Sequence, residues 1–376
     1  MITFLSINCI MIVTMKVLIV FNHPAPYKIR LFNELAKYFD LEVIFEREKA
    51  SDRSDAFYNT KEFNFKHTIL NRHTFGRENS NTGELIKIIK NRHKEFDAII
   101  MNGYSMVTEM RTIEYMKRHH IPFTQYINGG LIKQEGFLKR KIKTHFISAA
   151  SNYISPCQQA DEYLIHYGAD SSKILRYTNS TVYEKDILSK PLTREEKLAI
   201  RIKYNLPEGD LYISASQFIK RKNNTQLIDC FKDLDAHLLL VGEGNQKEEY
   251  ERIIKENNQN NVIIFPFKER SELFELMKCC DGFITLSQED IYGHTTNEAF
   301  AMGLPVLSSN KVVGSNHLIK DGENGFIVDL SQNNEIIEKI KLLKNISSLK
   351  AIETARNNTI ELMVQSMVEN IKKLQK

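Results

Sequence analysis

The residues best suited to chemistry lie between Ser287 and Pro305, in SQEDIYGHTTNEAFAMGLP. An apolar run, Gly282–Leu286, ends there, and an acidic turn of Gln288, Glu289 and Asp290 follows. Gly293, His294, Thr295 and Thr296 then lead into a helical stretch that closes at Gly303-Leu304-Pro305. A strand–turn–helix with glycine in the turn presents backbone N–H groups at the helix start, where partial positive charge suits a phosphate. Thr295 and Thr296 can cap the helix or donate hydroxyl hydrogen bonds. Glu298 falls about one turn into the helix, where a carboxylate can accept both hydroxyls of a ribose. Asp290 and Glu298 would bracket the anion from opposite sides. An N-capped helix with dipole-matched acids has the same pattern, so this segment alone does not decide.

Two further clusters point the same way. Lys220-Arg221-Lys222 follows one apolar run and precedes a helix start at Asn223. Arginine there can pair a phosphate in bidentate fashion, and lysine supplies a point charge. Gly242 and Gly244 form a G-x-G step after HLLLV. A lone G-x-G says little, and this one counts only by its position.

Together these motifs resemble the family-4 retaining glycosyltransferases, which have the GT-B fold. The family signature is an acid, seven residues, a glutamate, then A-x-x-x-G-x-P. Asp290, Glu298, Ala299, Gly303 and Pro305 match it. Glu289-Asp290-Ile291-Tyr292-Gly293 through Asn297-Glu298-Ala299 is similar to a variant of that signature, with Asp290 in place of the usual first glutamate. Glu289 stands beside it, and which of the two faces the sugar stays open. The resemblance covers the second half of the chain. It implies that Lys222 and Arg221 hold a diphosphate, with Gln217 where relatives carry an arginine. Gly242, Gly244, Gly293, His294, Thr295, Thr296 and Glu298 would line a nucleotide-sugar donor. His317–Asp329 resembles the family's hairpin near the end of the donor domain. Transfer would retain the anomeric configuration, and protein cations would leave no clear need for a metal or other cofactor.

These residues need a scaffold. Short apolar runs alternate with helical stretches almost throughout, which argues for parallel sheets covered by helices. Val17–Phe21, Leu41–Phe45, Ala98–Met101, Pro122–Ile127, Tyr153–Ser155 and Ile174–Tyr177 read as strands of a first half. Leu211–Ala215, His237–Val241, Val262–Phe265, Gly282–Leu286 and Pro305–Ser308 read as strands of a second. The polar stretch Thr178–Arg194, with Pro191, reads as a linker. The expected fold is α/β, with two doubly wound Rossmann-like domains facing across a cleft. An acceptor-side domain would cover residues 1–185 and a donor domain 186–355. Residues 356–376 would form a helix crossing back to the first domain.

The first half is less specific. Asn22–Phe39 resembles the family's first strand–loop–helix, placing His23 and Tyr27 on the acceptor side. Asn128 stands where relatives carry a histidine, and an amide can bond a sugar hydroxyl but does not titrate near neutral pH. Lys139, Arg140, Lys141 and Lys143, with Lys133 nearby, can form either a solvated helix face or a patch for anionic lipid headgroups.

The 376 residues, 42% hydrophobic and 26% charged, describe a globular chain of two domains. A net charge of +4 is too small to argue for nucleic acid. Five scattered cysteines without a C-x-x-C pair make neither a disulfide framework nor a zinc site, which fits a cytoplasmic protein. Residues 1–14 are apolar but short, so Met15 is a second candidate start. The expected partners are a nucleotide sugar, UDP-linked first, and a glycan or lipid-linked acceptor of bacterial surface-polysaccharide synthesis. A nucleotide-sugar epimerase on the same fold and a non-catalytic nucleotide-sugar binder are the competing readings.

Overall fold

The computed structural model describes residues 15–50, 58, 62–70 and 82–374. The alternative starts and Cys9 therefore fall outside the described residues, apart from Met15 itself.

The first sheet contains β1 (Lys16–Phe21), β2 (Asp40–Phe45), β3 (Lys66–Ile69), β4 (Ala98–Asn102), β5 (Thr124–Tyr126), β6 (Asn152–Ser155) and β7 (Ile174–Arg176), in the order β3-β2-β1-β4-β5-β6-β7. Its helices are α1 (Pro26–Leu35), α2 (Thr82–Arg92), α3 (Val107–Arg118), α4 (Phe137–Ile147) and α5 (Gln158–His166). Pro26 opens α1, where its missing N–H costs nothing and its fixed φ suits the first turn. Strand β1 reads KVLIVF because a parallel strand is covered on both faces, and Val17 to Phe21 are all buried.

The second half opens with α6 (Arg194–Lys203), whose first turn is closed by a reciprocal Thr193–Glu196 capping box. Its sheet contains β8 (Leu211–Ala215), β9 (His237–Val241), β10 (Val262–Phe265), β11 (Gly282–Thr285), β12 (Val306–Ser309) and β13 (Gly325–Val328), in the order β10-β9-β8-β11-β12-β13. Every pair in it is parallel. The remaining helices are α7 (Asn224–Cys230), α8 (Lys247–Glu256), α9 (Arg270–Lys278), α10 (Thr295–Ala301), α11 (Val313–Leu318), α12 (Asn333–Leu343), α13 (Ser348–Arg356) and α14 (Ile360–Lys372). Alternate residues of each strand feed opposite cores. Ile213, Phe283 and Val306 pack on one face, and Tyr212, Ile284 and Leu307 on the other.

Three readings of the sequence change. The His317–Asp329 segment is not a hairpin. Lys320 N–H donates to Asn324 Oδ1 at 2.8 Å, closing a tight turn that delivers β13 parallel to β12. The stretch 178–194 is not a solvated linker at its start, since Asn179, Ser180, Thr181 and Val182 are buried. Contacts also divide the chain elsewhere than at residue 185. One unit comprises Met1–Tyr126, Leu138–Ile154 and Met367–Lys376, and the other Ile127–Phe137 and Ser155–Ser366. The cause lies in the second unit: Val182 belongs to its core, and Ile360 N–H donates to Val182 O at 2.7 Å.

Candidate active site

In the second sheet the strand order reverses between β8 and β11. Ligands of open α/β sheets bind beyond the carboxyl ends of the strands at such a switch point. The loop leaving β8 tightens into a 3₁₀ turn at Lys220–Lys222. Asn223 then takes a left-handed conformation, φ 57°, which asparagine tolerates better than most residues. That reversal starts α7 and leaves Lys222 turned toward the loop leaving β11.

There Lys222 Nζ donates to Asp290 Oδ2 at 2.5 Å. Both side chains are largely shielded, at 13% and 20% exposed. Burial pushes the Asp290 carboxyl up, but the Lys222 ammonium and its hydrogen bond outweigh burial and hold it below the usual carboxylate range. Tyr292 N–H donates to the other oxygen, Oδ1, at 3.2 Å. The two loops are also stitched by backbone. Gln288 N–H donates to Arg221 O at 2.8 Å, and Arg221 Nη1 donates to Glu289 O at 3.1 Å. Glu289 instead carries its carboxylate to Lys133 Nζ. Of the two candidate acids, Asp290 is the one joined to Lys222.

The expected donor residues divide. Gly242 and Gly244 hold the G-x-G turn against the β8 loop, where a Cβ on Gly242 would meet Ser216 O at 1.9 Å. Gln217 lies in that same loop, half-buried. Gly293, φ 78°, His294 and Thr295 are partly exposed ahead of α10. The α10 start offers fewer donors than its position promised. Thr296 N–H is spent on Gly293 O, and the Asn297 and Glu298 N–H groups are spent on His294 O. Thr296 is fully buried and its hydroxyl pairs with Ser315 Oγ at 2.7 Å, so it ties α10 to α11 rather than lining a donor. Glu298 accepts a hydrogen bond from Thr181 Oγ1 at 2.9 Å.

Several neighbours had no signal in the sequence. Thr181, Ser180 and Asn179 come from the supposed linker, yet Asn297 Nδ2 donates to Ser180 Oγ at 3.0 Å and the Tyr292 hydroxyl donates to Asn179 O at 3.0 Å. They build the back of the acidic turn. Asn128 was expected on the acceptor side of the first half, but residues 127–137 group with the second unit. The backbone at Gly129, φ 150°, lies so close to the acidic turn that a Cβ would sit 2.0 Å from Ile291 O. On the other side, a Cβ on Gly130 would lie 2.4 Å from Tyr163 Cγ. The glycine pair and Lys133 thus press one strap onto residues 289–291.

In the first unit, the loop after β1 carries His23, whose Nδ1 lies 3.1 Å from the Tyr58 hydroxyl. Tyr27, half-exposed, lies beside Lys28. Lys28 is fully buried, donates to the Tyr126 hydroxyl at 2.5 Å, and is lowered by burial to about 7. Glu46, after β2, is also fully buried, and neither carboxyl oxygen has a hydrogen-bond partner among the described residues. Burial, then the Glu109 charge, raises it to about 9, against a smaller opposing pull from Arg47. Such a carboxyl keeps its proton in the folded chain after the unfolded chain has released it. Stability therefore falls as pH rises from the ordinary carboxyl range toward that raised value. Glu46→Gln removes this titration. It is expected to be more stable than the parent at pH 8 by on the order of 1–2 kcal/mol, with a flatter dependence of Tm on pH. Calorimetry between pH 5 and about 9 measures both; parallel Tm profiles would refute the assignment.

Among the described residues no helix is long and apolar enough to cross a membrane, and no group of three or more His, Cys, Asp or Glu side chains is placed to hold a metal ion.

The two parallel α/β units have the GT-B fold. Residues 196–359 match the family described as Glycosyl transferases group 1. Over 266 residues the chain is 23% identical to the uncharacterized glycosyltransferase MJ1178 of Methanocaldococcus jannaschii, covering 68% of this chain and 74% of the relative. It is 29% identical over 150 residues to the capsular polysaccharide biosynthesis glycosyltransferase CapM of Staphylococcus aureus, covering 38% of each. Among solved structures, Anabaena HepE in complex with UDP superposes with a TM-score of 0.75 at 16% identity, covering 96% of this chain and 100% of that one. The lipopolysaccharide outer core galactosyltransferase WaaB superposes with a TM-score of 0.71 at 14% identity, covering 96% and 99%.

Proposed function

We propose that this chain is a family-4 retaining glycosyltransferase that moves a sugar from a nucleoside diphosphate, UDP first, to a glycan or lipid-linked glycan of bacterial surface-polysaccharide synthesis. The observation that carries the reading is the shielded Lys222–Asp290 pair at the switch point of the second sheet. As the bond from the anomeric carbon to the phosphate oxygen breaks, the diphosphate gains negative charge that Lys222 and Arg221 are placed to meet. The acceptor hydroxyl attacks from the same face, its oxygen bonding the anomeric carbon while its proton passes to the departing phosphate oxygen. No protein nucleophile is needed. Asp290 eases the positive character that develops on the sugar. Glu298 takes the ribose hydroxyls, its carboxylate oriented by the Thr181 hydroxyl. Protein cations serve in place of a metal. The UDP complex of the HepE neighbour supports the choice of nucleotide.

Screening radiolabelled nucleotide sugars with candidate acceptors tests the reading. Transfer of label to the acceptor with retained configuration supports it. Donor consumed without acceptor would favour an epimerase, and binding without turnover a carrier protein.

The exposed face of α4 supports a membrane setting for the acceptor. Phe137 and Leu138 are 81% and 70% exposed, and Ile142 is also exposed. On a helix these three fall on one side, with Lys141 among them and Lys139 and Arg140 flanking. Apolar side chains beside basic ones suit the boundary of an anionic bilayer. We therefore propose a cytoplasmic enzyme seated peripherally on the inner face of the plasma membrane. The protein is expected to sediment with phosphatidylglycerol vesicles and not with phosphatidylcholine alone, and the double change Phe137→Ser, Leu138→Ser to reduce recovery at least about threefold. Equal recovery would remove the membrane from the proposal.

A further inference from the structure

We propose that Asp290 is an internal stand-in for the donor's diphosphate, so that donor binding moves Lys222 from the carboxylate to the phosphates. This rests on the glycosyltransferase reading above and adds to it how the site is regulated.

The Lys222 side chain has one hydrogen-bond acceptor among the described residues, Asp290 Oδ2. Both partners are largely shielded, so their attraction is stronger than that of a surface pair. A lysine already answered by a carboxylate at 2.5 Å has less attraction left for an incoming anion. The two groups differ in freedom. Asp290 is pinned by its own backbone: its N–H donates to Lys311 O, its carbonyl accepts from Val313 N–H, and Tyr292 N–H holds Oδ1. Lys222 is a flexible four-carbon stem on a 3₁₀ turn. In an exchange the lysine moves and the carboxylate stays. Glu289 is answered by Lys133 and does not compete for Lys222.

The exchange couples binding to chemistry. Once phosphates hold Lys222, Asp290 is left without its cation beside the carbon that becomes positive. The acid reaches full strength only when a diphosphate occupies the site. A nucleoside diphosphate must therefore work against Asp290 to bind, although Asp290 assists transfer.

Isothermal titration of UDP, GDP and ADP into the whole protein tests this. Asp290→Asn is expected to bind the preferred diphosphate at least about fivefold more tightly than the parent. Glu256→Gln, at the exposed end of α8, should leave affinity unchanged, and Lys222→Met should weaken it. Circular dichroism confirms that each variant is folded, and Asp290→Ser substitutes if the asparagine variant is not. Equal or weaker binding by a folded Asp290 variant overturns the proposal while leaving the enzyme reading intact. No binding of any of the three by the parent protein would overturn both.

Discussion

Lys222→Ala is expected to lower turnover with a nucleoside-diphosphate sugar by at least about tenfold, the scale of removing one fixed donor from a site of developing charge. The loss has a definite origin. Lys222 is the shielded cation of the pair, whereas Arg221 is exposed and spends one nitrogen on a neutral carbonyl. Arg221 therefore compensates poorly. The variant also leaves Asp290 partly buried without its cation, which should cost roughly 1–3 kcal/mol of stability. Steady-state rates and a melting curve on the same preparation separate the two effects. Unchanged turnover in a folded variant would sink the phosphate assignment.

Gly129→Ala should be nearly as damaging, by a different route. The added Cβ would lie 2.0 Å from Ile291 O, a backbone atom that cannot swing away, and φ 150° is itself strained for alanine. Either the strap or the acidic turn must move, and a displacement near 1 Å at a reacting centre can cost about a hundredfold. We expect turnover to fall at least about tenfold, with about 2–4 kcal/mol of stability lost. Nucleoside-diphosphate affinity should not fall with it, because Lys222 stands on the other loop and a displaced Asp290 no longer competes for it. Gly136→Ala is the control, since a Cβ there meets nothing within 4 Å. Matching rates for the two variants would show that the strap does not position the acid.

The elements that were legible in the sequence are those with one physical cause. Fully covered parallel strands such as β1 and β8 are apolar without interruption, and such runs can be read directly. The 290–305 signature was legible because its spacing is carried by one loop and one helix. Other features were hidden because their causes are tertiary. β3, KHTI, is polar and exposed at its start, so no apolar run marks it, and β13, GFIV, lay inside the segment read as a hairpin. Helix α5 was missed because its buried face is little more than Ala160 and Leu164. Thr181 reaches Glu298 across 117 residues, and nothing in a polar stretch announces such a partner. Which of Glu289 and Asp290 pairs with Lys222 also needed coordinates. Two adjacent acids on a turn point in different directions, and spacing alone does not say which one meets the lysine.

The buried start of the supposed linker has a consequence for anyone recombining glycosyltransferase halves. Composition invites a fusion junction anywhere in 178–194. A crossover within 179–182 would pair one parent's Ser180 and Thr181 with another parent's Asn297, Glu298 and Asn358, groups that are hydrogen-bonded here. Such a chimera would inherit a mismatched backing for its acidic turn even if both halves were sound. Ser189 and Lys190 are exposed a few residues later, and a seam there carries the whole backing segment with the half that contains the first sheet, so its partners must be transplanted with it. The three stretches 179–182, 292–298 and 358–360 must therefore come from one parent, which a seam placed ahead of residue 179 achieves and a seam later in the polar stretch does not.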